Sequence, residues 1–176
     1  MDLKTFDESI RRIWNFPKPG INFYDITSVL GNAEAFRFTI DRITQWSGEL
    51  QVDVVVGVEA RGFIFAAPVA ENRGIPLILA RKKGKLPGEV WCQDYDLEYG
   101  VDAICIQKSD IPEGSRVLLI DDLIATGGTF KATAAIVEKK IHSTVAGFTA
   151  VIGLPALGYE KILTTAPIYT IINFTQ

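Results

Sequence analysis

Val117-Leu118-Leu119-Ile120-Asp121-Asp122-Leu123-Ile124-Ala125-Thr126-Gly127-Gly128-Thr129 is the stretch on which the fold turns. Its four leading apolar residues, bounded upstream by the turn-forming Pro112-Glu113-Gly114-Ser115, read as a short buried strand. Two carboxylates stand where that strand leaves its sheet, and Ala125 to Thr129 supplies small and hydroxylic residues before a helical pattern near Phe130. In an α/β sheet, ligands bind at the carboxyl ends of the strands. A Gly- and Thr-rich turn at a helix start offers free N–H groups, hydroxyls and the positive end of the helix dipole to a phosphate. Carboxylates beside such a cradle repel the anion, so they serve a sugar's hydroxyls or a bridging cation. The stretch asks for a sugar phosphate. It is neither a G-x-x-x-x-G-K-[ST] nor a G-x-G-x-x-G loop.

Working outward, Val54-Val55-Val56-Gly57-Val58 is a β-branched run of the kind covered on both faces, followed at once by Glu59-Ala60-Arg61-Gly62. An apolar helix then runs through Asn72 to Gly74, and Ile75 to Ala80 reads as the next strand. Strand, helix, strand requires a parallel pair with a right-handed crossover. Arg61 at a neighbouring strand end points a bidentate phosphate donor into the same crevice. Ala103 to Gln107, Thr144 to Ile152 and Ile168 to Ile172 read as further strands, with a helix to about Lys140. Upstream, Asp2 caps a helix whose apolar positions Leu3, Phe6, Ile10, Ile13 and Trp14 recur at helical spacing, stopped by Pro17 and Pro19. Ile21 to Thr27 reads as extended, and Asn32 caps a helix reaching Leu50. The whole reads as one doubly wound α/β domain, its mainly parallel central sheet flanked by helices.

The basic stretch Arg81-Lys82-Lys83-Gly84-Lys85-Leu86-Pro87-Gly88-Glu89 breaks this alternation and reads as a mobile surface loop able to close over a polyanion. The helix from Gly62 to Ala70 is either core or a dimer surface. Trp91 and Cys92 read as packing residues.

Totals exclude several classes. The net charge of −3 leaves no footprint for nucleic acid. A single His142 leaves no histidine-rich zinc site and disfavours a Ser-His-Asp triad. Cys92 and Cys105 lack framework spacing, so reduced cysteines in a cytoplasmic protein are expected. Neither a signal peptide nor a membrane-spanning run is recognised.

Together, Phe16-Pro17-Lys18-Pro19-Gly20, Arg61-Gly62-Phe63, Gly84-Lys85-Leu86-Pro87-Gly88, Leu97-Glu98-Tyr99-Gly100 and Val117 to Thr129 resemble the type I phosphoribosyltransferases over nearly the whole chain. The resemblance implies that family's fold, with a small N-terminal hood over about residues 1–30 and a core from about 31 to 176. It implies transfer of ribose 5-phosphate from phosphoribosyl pyrophosphate to a purine, adenine being the expected acceptor and hypoxanthine, guanine or xanthine the alternatives. A non-catalytic sensor of phosphoribosyl pyrophosphate is a more distant alternative. On this pattern Ala125, Thr126, Gly127, Gly128 and Thr129 hold the 5-phosphate, and Asp121 and Asp122 the ribose hydroxyls. Ala60, Arg61, Arg81 and Lys85 meet pyrophosphate, with a cis peptide at Glu59-Ala60. Magnesium is held mainly through substrate and water near Asp121 and Asp122. Glu98 is the acid/base, supported by Tyr99, and Lys85 reaches the reacting centre as its loop closes. Phe23 and Leu154 sandwich the base, and the backbone of Asn22 and Tyr24 reads its edge. The family suggests a homodimer. The chain departs from the common pattern at Tyr24 (usually Arg), Glu59-Ala60 (usually Asp-Ser) and Gly153 (often Glu), and Leu154 to Glu160 is one residue short.

Overall fold

A computed structural model describes residues 1–96 and 100–175. The core is a seven-stranded sheet in the order β5-β6-β4-β3-β7-β8-β9. Its strands are β3 (Val54–Val58), β4 (Leu77–Lys82), β5 (Val90–Asp96), β6 (Val101–Gln107), β7 (Arg116–Ile124), β8 (Thr144–Gly153) and β9 (Ile168–Asn173). Neighbours from β4 to β9 are parallel, while β5 and β6 join antiparallel at one edge. This is the doubly wound, mainly parallel sheet expected from the β-branched runs. β3 is buried along its whole length.

Two apolar clusters, one on each side of the sheet, follow from that burial. One gathers Val56, Leu119, Phe148 and the inner face of α5 (Gly128–Lys139). The other packs Val55, Leu118 and Val151 against α3 (Ala33–Gly48) and α4 (Gly62–Arg73). α3 is capped by Asn32, whose side chain accepts from the N–H groups of Glu34 and Ala35. α4 ends at Gly74 in the left-handed conformation.

The N-terminal region corrects the sequence reading. α1 spans only Leu3–Ser9, and Arg11–Trp14 forms β1, paired antiparallel with β2 (Asn22–Asp25). Helical spacing of Ile10, Ile13 and Trp14 is a local signal. The outcome is set by the strand that returns alongside, in the register Arg11↔Asp25 and Trp14↔Asn22, around a turn with a cis Phe16–Pro17 peptide. A short helix α2 (Thr27–Leu30) joins this hood to the core.

A second correction concerns the basic stretch. Arg81 and Lys82 belong to β4, and Val90–Asp96 is a full strand rather than loop, leaving residues 83–89 as the connection. Cys92 lies directly opposite Cys105 in the β5–β6 register, their Cα atoms 4.1 Å apart, and the two are disulfide-bonded. Linear spacing hid this pairing, because antiparallel register brings together residues thirteen apart in sequence. No helix among the described residues is long and apolar enough to cross a membrane.

Candidate active site

The carboxyl ends of β3 and β7 are adjacent in the sheet and open into one crevice. A cavity of about 300 Å³ is lined there by Glu59, Ala60, Arg61, Asp121, Asp122 and Leu123. Beside it lies a smaller hollow of about 100 Å³ bounded by Asp121 and by Ala125 through Phe130. The strand end and the glycine-rich turn therefore present two joined compartments, one walled by the Arg61 turn and one by the Thr126–Thr129 loop.

The glycines of the second compartment have distinct jobs. Gly127 takes φ +81°, and a Cβ there would lie 3.2 Å from Tyr159 Cβ and 3.3 Å from Leu163 Cγ. It immediately precedes α5, so the N–H groups of the first turn face the hollow. Gly62 serves close packing instead. A Cβ there would meet the Ile120 carbonyl at 2.8 Å and Asp121 Oδ1 at 3.0 Å. The start of α4 can thus press against the end of β7 and bring Arg61 beside the carboxylates.

Arg61 Nε donates to Asp122 Oδ2 at 2.5 Å, and Asp122 is buried while the Arg61 side chain stays half-exposed. One end of the guanidinium is oriented and the rest remains available to the crevice. Asp121 is held differently: its Oδ1 accepts from the Asp122 backbone N–H at 2.8 Å. Burial, then the neighbouring Asp122 charge, pushes the Asp121 carboxyl well above the usual carboxylate range.

Glu59, at the cis Glu59–Ala60 peptide, anchors the basic stretch. It accepts from Arg81 Nη2 at 2.9 Å and from the Lys82 backbone N–H at 2.7 Å. Burial would raise the Glu59 pKa, but these donors, with Lys85 adding attraction, outweigh it and hold the carboxyl below its ordinary value. Arg81 Nη1 also donates to the Lys85 carbonyl at 3.1 Å. On the other side of this ribbon Lys82 Nζ reaches Asp102 at 2.8 Å. Arg81 and Lys85 are therefore brought to the Glu59–Ala60 turn.

On the hood side, Phe23 is half-buried against Phe16, ring centroids 5.1 Å apart, while Asn22 and Tyr24 face inward. Among the described residues β2 pairs with β1 alone, which leaves its other backbone edge unpaired by any strand. Leu154 follows β8 directly, its N–H donating to the Ile124 carbonyl at 2.9 Å, so it stands beside the end of β7 that leads into the Ala125–Thr129 turn. Glu98 and Tyr99 lie outside the described residues.

Sequence reasoning passed over three residues that the geometry brings in. Asp25 holds Thr27 through its N–H at 3.0 Å and its hydroxyl at 2.6 Å. Those bonds, with attraction from Arg11 and more weakly from Arg61, keep the Asp25 carboxyl below its usual range. Tyr159 is fully buried behind Gly127, and Asn173 meets its hydroxyl at 3.1 Å. Only Asp25 carried a sequence signal, as a carboxylate next to the aromatic pair.

Known proteins agree with this geometry. The phosphoribosyl transferase domain family matches residues 27–157. The adenine phosphoribosyltransferase of Treponema denticola is 52% identical over 171 residues, covering 97% of this chain and 90% of the relative. That of Trichodesmium erythraeum is 47% identical over 174 residues, covering 99% and 100%. Among solved structures, adenine phosphoribosyltransferase from Thermoanaerobacter pseudethanolicus superposes with a TM-score of 0.92 at 39% identity, covering 98% and 100%. The Saccharomyces cerevisiae enzyme, solved with an imino-altritol bisphosphate and adenine, gives 0.89 at 34% identity, covering 97% and 98%. The chain belongs to the type I phosphoribosyltransferase family, among its adenine phosphoribosyltransferases.

Proposed function

We propose that this chain transfers ribose 5-phosphate from phosphoribosyl pyrophosphate to adenine, releasing pyrophosphate and giving AMP, as a step of purine salvage. The observation that carries the reading is one crevice in which the Gly127–Thr129 helix start, Asp121–Asp122 and Arg61 meet. The names of the relatives, and the adenine held by the yeast enzyme, support the choice of base.

In this reading the loop Ala125 to Thr129 holds the 5-phosphate with backbone N–H groups and threonine hydroxyls. Asp121 and Asp122 accept from the ribose hydroxyls. Ala60, Arg61, Arg81 and Lys85 take the pyrophosphate, as the gathering of both cations at the Glu59 turn supports. Breaking the C1–oxygen bond puts negative charge on pyrophosphate and positive charge on the sugar. The cations stabilise the first and the two aspartates the second. The bond to C1 forms from a ring nitrogen of adenine, and Glu98, supported by Tyr99, handles that ring's proton. Phe23 and Leu154 enclose the base, and the inward placement of Asn22 and Tyr24 on either side of Phe23 supports a reading role for their backbone.

Magnesium fits as an ion carried on the donor. Among the described residues no group of three His, Cys, Asp or Glu could hold a metal, and Asp122 already answers Arg61. Mg²⁺ usually binds one or two carboxylates together with substrate phosphates and waters, so Asp121 and Asp122 with the donor's oxygens suit it. When bound, it neutralises charge on the departing pyrophosphate.

The family reading makes the chain a cytoplasmic homodimer, a location that rests on that reading alone because Cys92 and Cys105 are paired. Ile64, on the outer side of α4, is 40% exposed, an apolar position on a helix suited to a partner surface.

The direct test mixes the protein with Mg²⁺, phosphoribosyl pyrophosphate and each purine separately, following pyrophosphate release. Turnover with adenine is expected; turnover confined to another base moves the substrate, and no turnover with any base refutes the enzyme. A second prediction concerns the cradle. Gly127→Ala is expected to cost about 1–2 kcal/mol of stability for its left-handed backbone. It should also raise the donor KM about tenfold, equivalent to ~1.4 kcal/mol of lost contact. Thermal denaturation and initial rates check both.

A further inference from the structure

The two positions at which the base pocket departs from its family's usual residues, Tyr24 in the hood and Gly153 in the core, are far apart in sequence. Both are answered by one dipeptide, Asn173-Phe174, at the end of β9. The Phe174 ring stacks on Tyr24 with centroids 3.9 Å apart and planes 7° from parallel. Arg12, the register partner of Tyr24 in the β1–β2 pair, places its guanidinium 5.1 Å from the same centroid. The phenyl ring thus meets both the tyrosine ring and the guanidinium. Phe174 is thereby gripped by two hood residues.

Asn173 does the matching work on the core. Its Oδ1 occupies the space a side chain at 153 would need, since a Cβ on Gly153 would lie 2.2 Å from it. That oxygen accepts from the Tyr159 hydroxyl at 3.1 Å and from Thr170 Oγ1 at 2.8 Å. The backbone closes the joint, the Phe174 N–H donating to the Gly153 carbonyl at 3.0 Å. Gly153 is followed by Leu154 and Tyr24 is preceded by Phe23. The residues that flank the two walls of the base slot are thus fixed to consecutive residues, Asn173 closing β9 and Phe174 just past it.

We propose that Asn173-Phe174 is a positioning clamp that sets the separation of Phe23 and Leu154, and so the enzyme's grip on its acceptor base. The inference rests on the assignment of Phe23 and Leu154 as those walls. A polar residue at 153 and a cation at 24 are replaced here by a stacked ring and a wedged amide. Asn173 reaches Tyr159 behind Gly127, whereas the contacts of the Phe174 ring are with the hood residues Tyr24 and Arg12, so the ring is the half of the clamp that can be removed without touching the donor's cradle. Its loss therefore acts on base binding and leaves donor binding in place.

The test compares Phe174→Ala, Phe174→Leu and the conservative Phe174→Tyr with the unmodified protein. Separate KM values for adenine and phosphoribosyl pyrophosphate are measured, with thermal denaturation as a check on folding. Phe174→Leu keeps apolar bulk and removes the stack, so it answers the question if the alanine variant does not fold. The leucine and alanine variants should raise the adenine KM about 3- to 10-fold, the size of a lost aromatic pair. Donor KM should stay unchanged, and the tyrosine variant should keep the normal adenine KM. A folded variant with an unchanged adenine KM, or with both KM values raised alike, overturns the clamp. If the unmodified protein turns over no purine, it is instead the functional assignment that fails, and the two outcomes are distinct.

Discussion

Glu98→Gln is expected to lower kcat by roughly 10²–10⁴-fold, the contribution of one positioned acid or base, while leaving the affinity for phosphoribosyl pyrophosphate nearly unchanged. Within the crevice Asp122 is committed to Arg61 and Glu59 to Arg81 and the Lys82 N–H. Asp121, half-buried beside Asp122, lines the two compartments at the end of β7 rather than the hood. The only histidine, His142, is in the turn between α5 and β8, away from the strand ends that carry the site. None of these is suited to move a proton on a purine ring enclosed by Phe23 and Leu154. Glu98, between β5 and β6 in sequence, falls to that role through the family motif. Glutamine keeps the size and the hydrogen-bonding oxygen but cannot exchange the proton, so the chemical step suffers and donor binding does not. Pre-steady-state product formation separates the two. A parallel loss of donor affinity would mean that Glu98 instead shapes the closed basic segment.

How far the chain could be read before its structure follows from which signals are local. The runs Val54 to Val58 and Val117 to Ile120 declare buried parallel strands because both faces of the sheet are covered, and no distant partner is needed to interpret them. The small-residue turn at the end of β7 and the helix after it were legible for a similar reason: the small residues, the carboxylates and the start of α5 are contiguous. What escaped depends on pairing. Arg11–Trp14 carries apolar residues at helical spacing yet belongs to β1, since β2 returns alongside it. Cys92 and Cys105 are neighbours only in the antiparallel register. Tyr24 and Asn22 look like a polar frame for Phe23, but alternation along β2 turns them inward, onto Phe174 in the case of Tyr24. The role of Asn173 has no signature at all in its own stretch, because the notch it fills is defined by the absence of a side chain at Gly153.

Asp121→Asn should move stability and activity in opposite directions. Burial, reinforced by the Asp122 charge, raises the Asp121 pKa well above its ordinary 3.8. In the window between that ordinary value and the raised one, the folded protein binds more protons than the unfolded chain. Stability therefore falls as pH rises through the window and is lowest, as far as this group is concerned, above it. Asparagine carries no proton to lose, and its side-chain oxygen can still accept from the Asp122 N–H, as Asp121 Oδ1 does at 2.8 Å. The variant is thus expected to be more stable than the unmodified protein above the window, by about 0.5–2 kcal/mol. The advantage should shrink as pH falls towards the ordinary carboxylate range. Thermal denaturation across pH measures this directly, and curves that stay parallel at every pH would show that Asp121 is not strained by its burial. The cost appears in catalysis. An amide cannot offer the ribose hydroxyls a charged acceptor, nor balance positive charge on the sugar. A charged hydrogen bond contributes about 1.5–3 kcal/mol, so kcat/KM should fall about 10- to 100-fold. A carboxylate held beside another carboxylate at the end of a buried strand weakens the fold at neutral pH. The charge kept there suits the partners proposed for it, a sugar that turns positive only as its bond to pyrophosphate breaks and the magnesium carried by the donor.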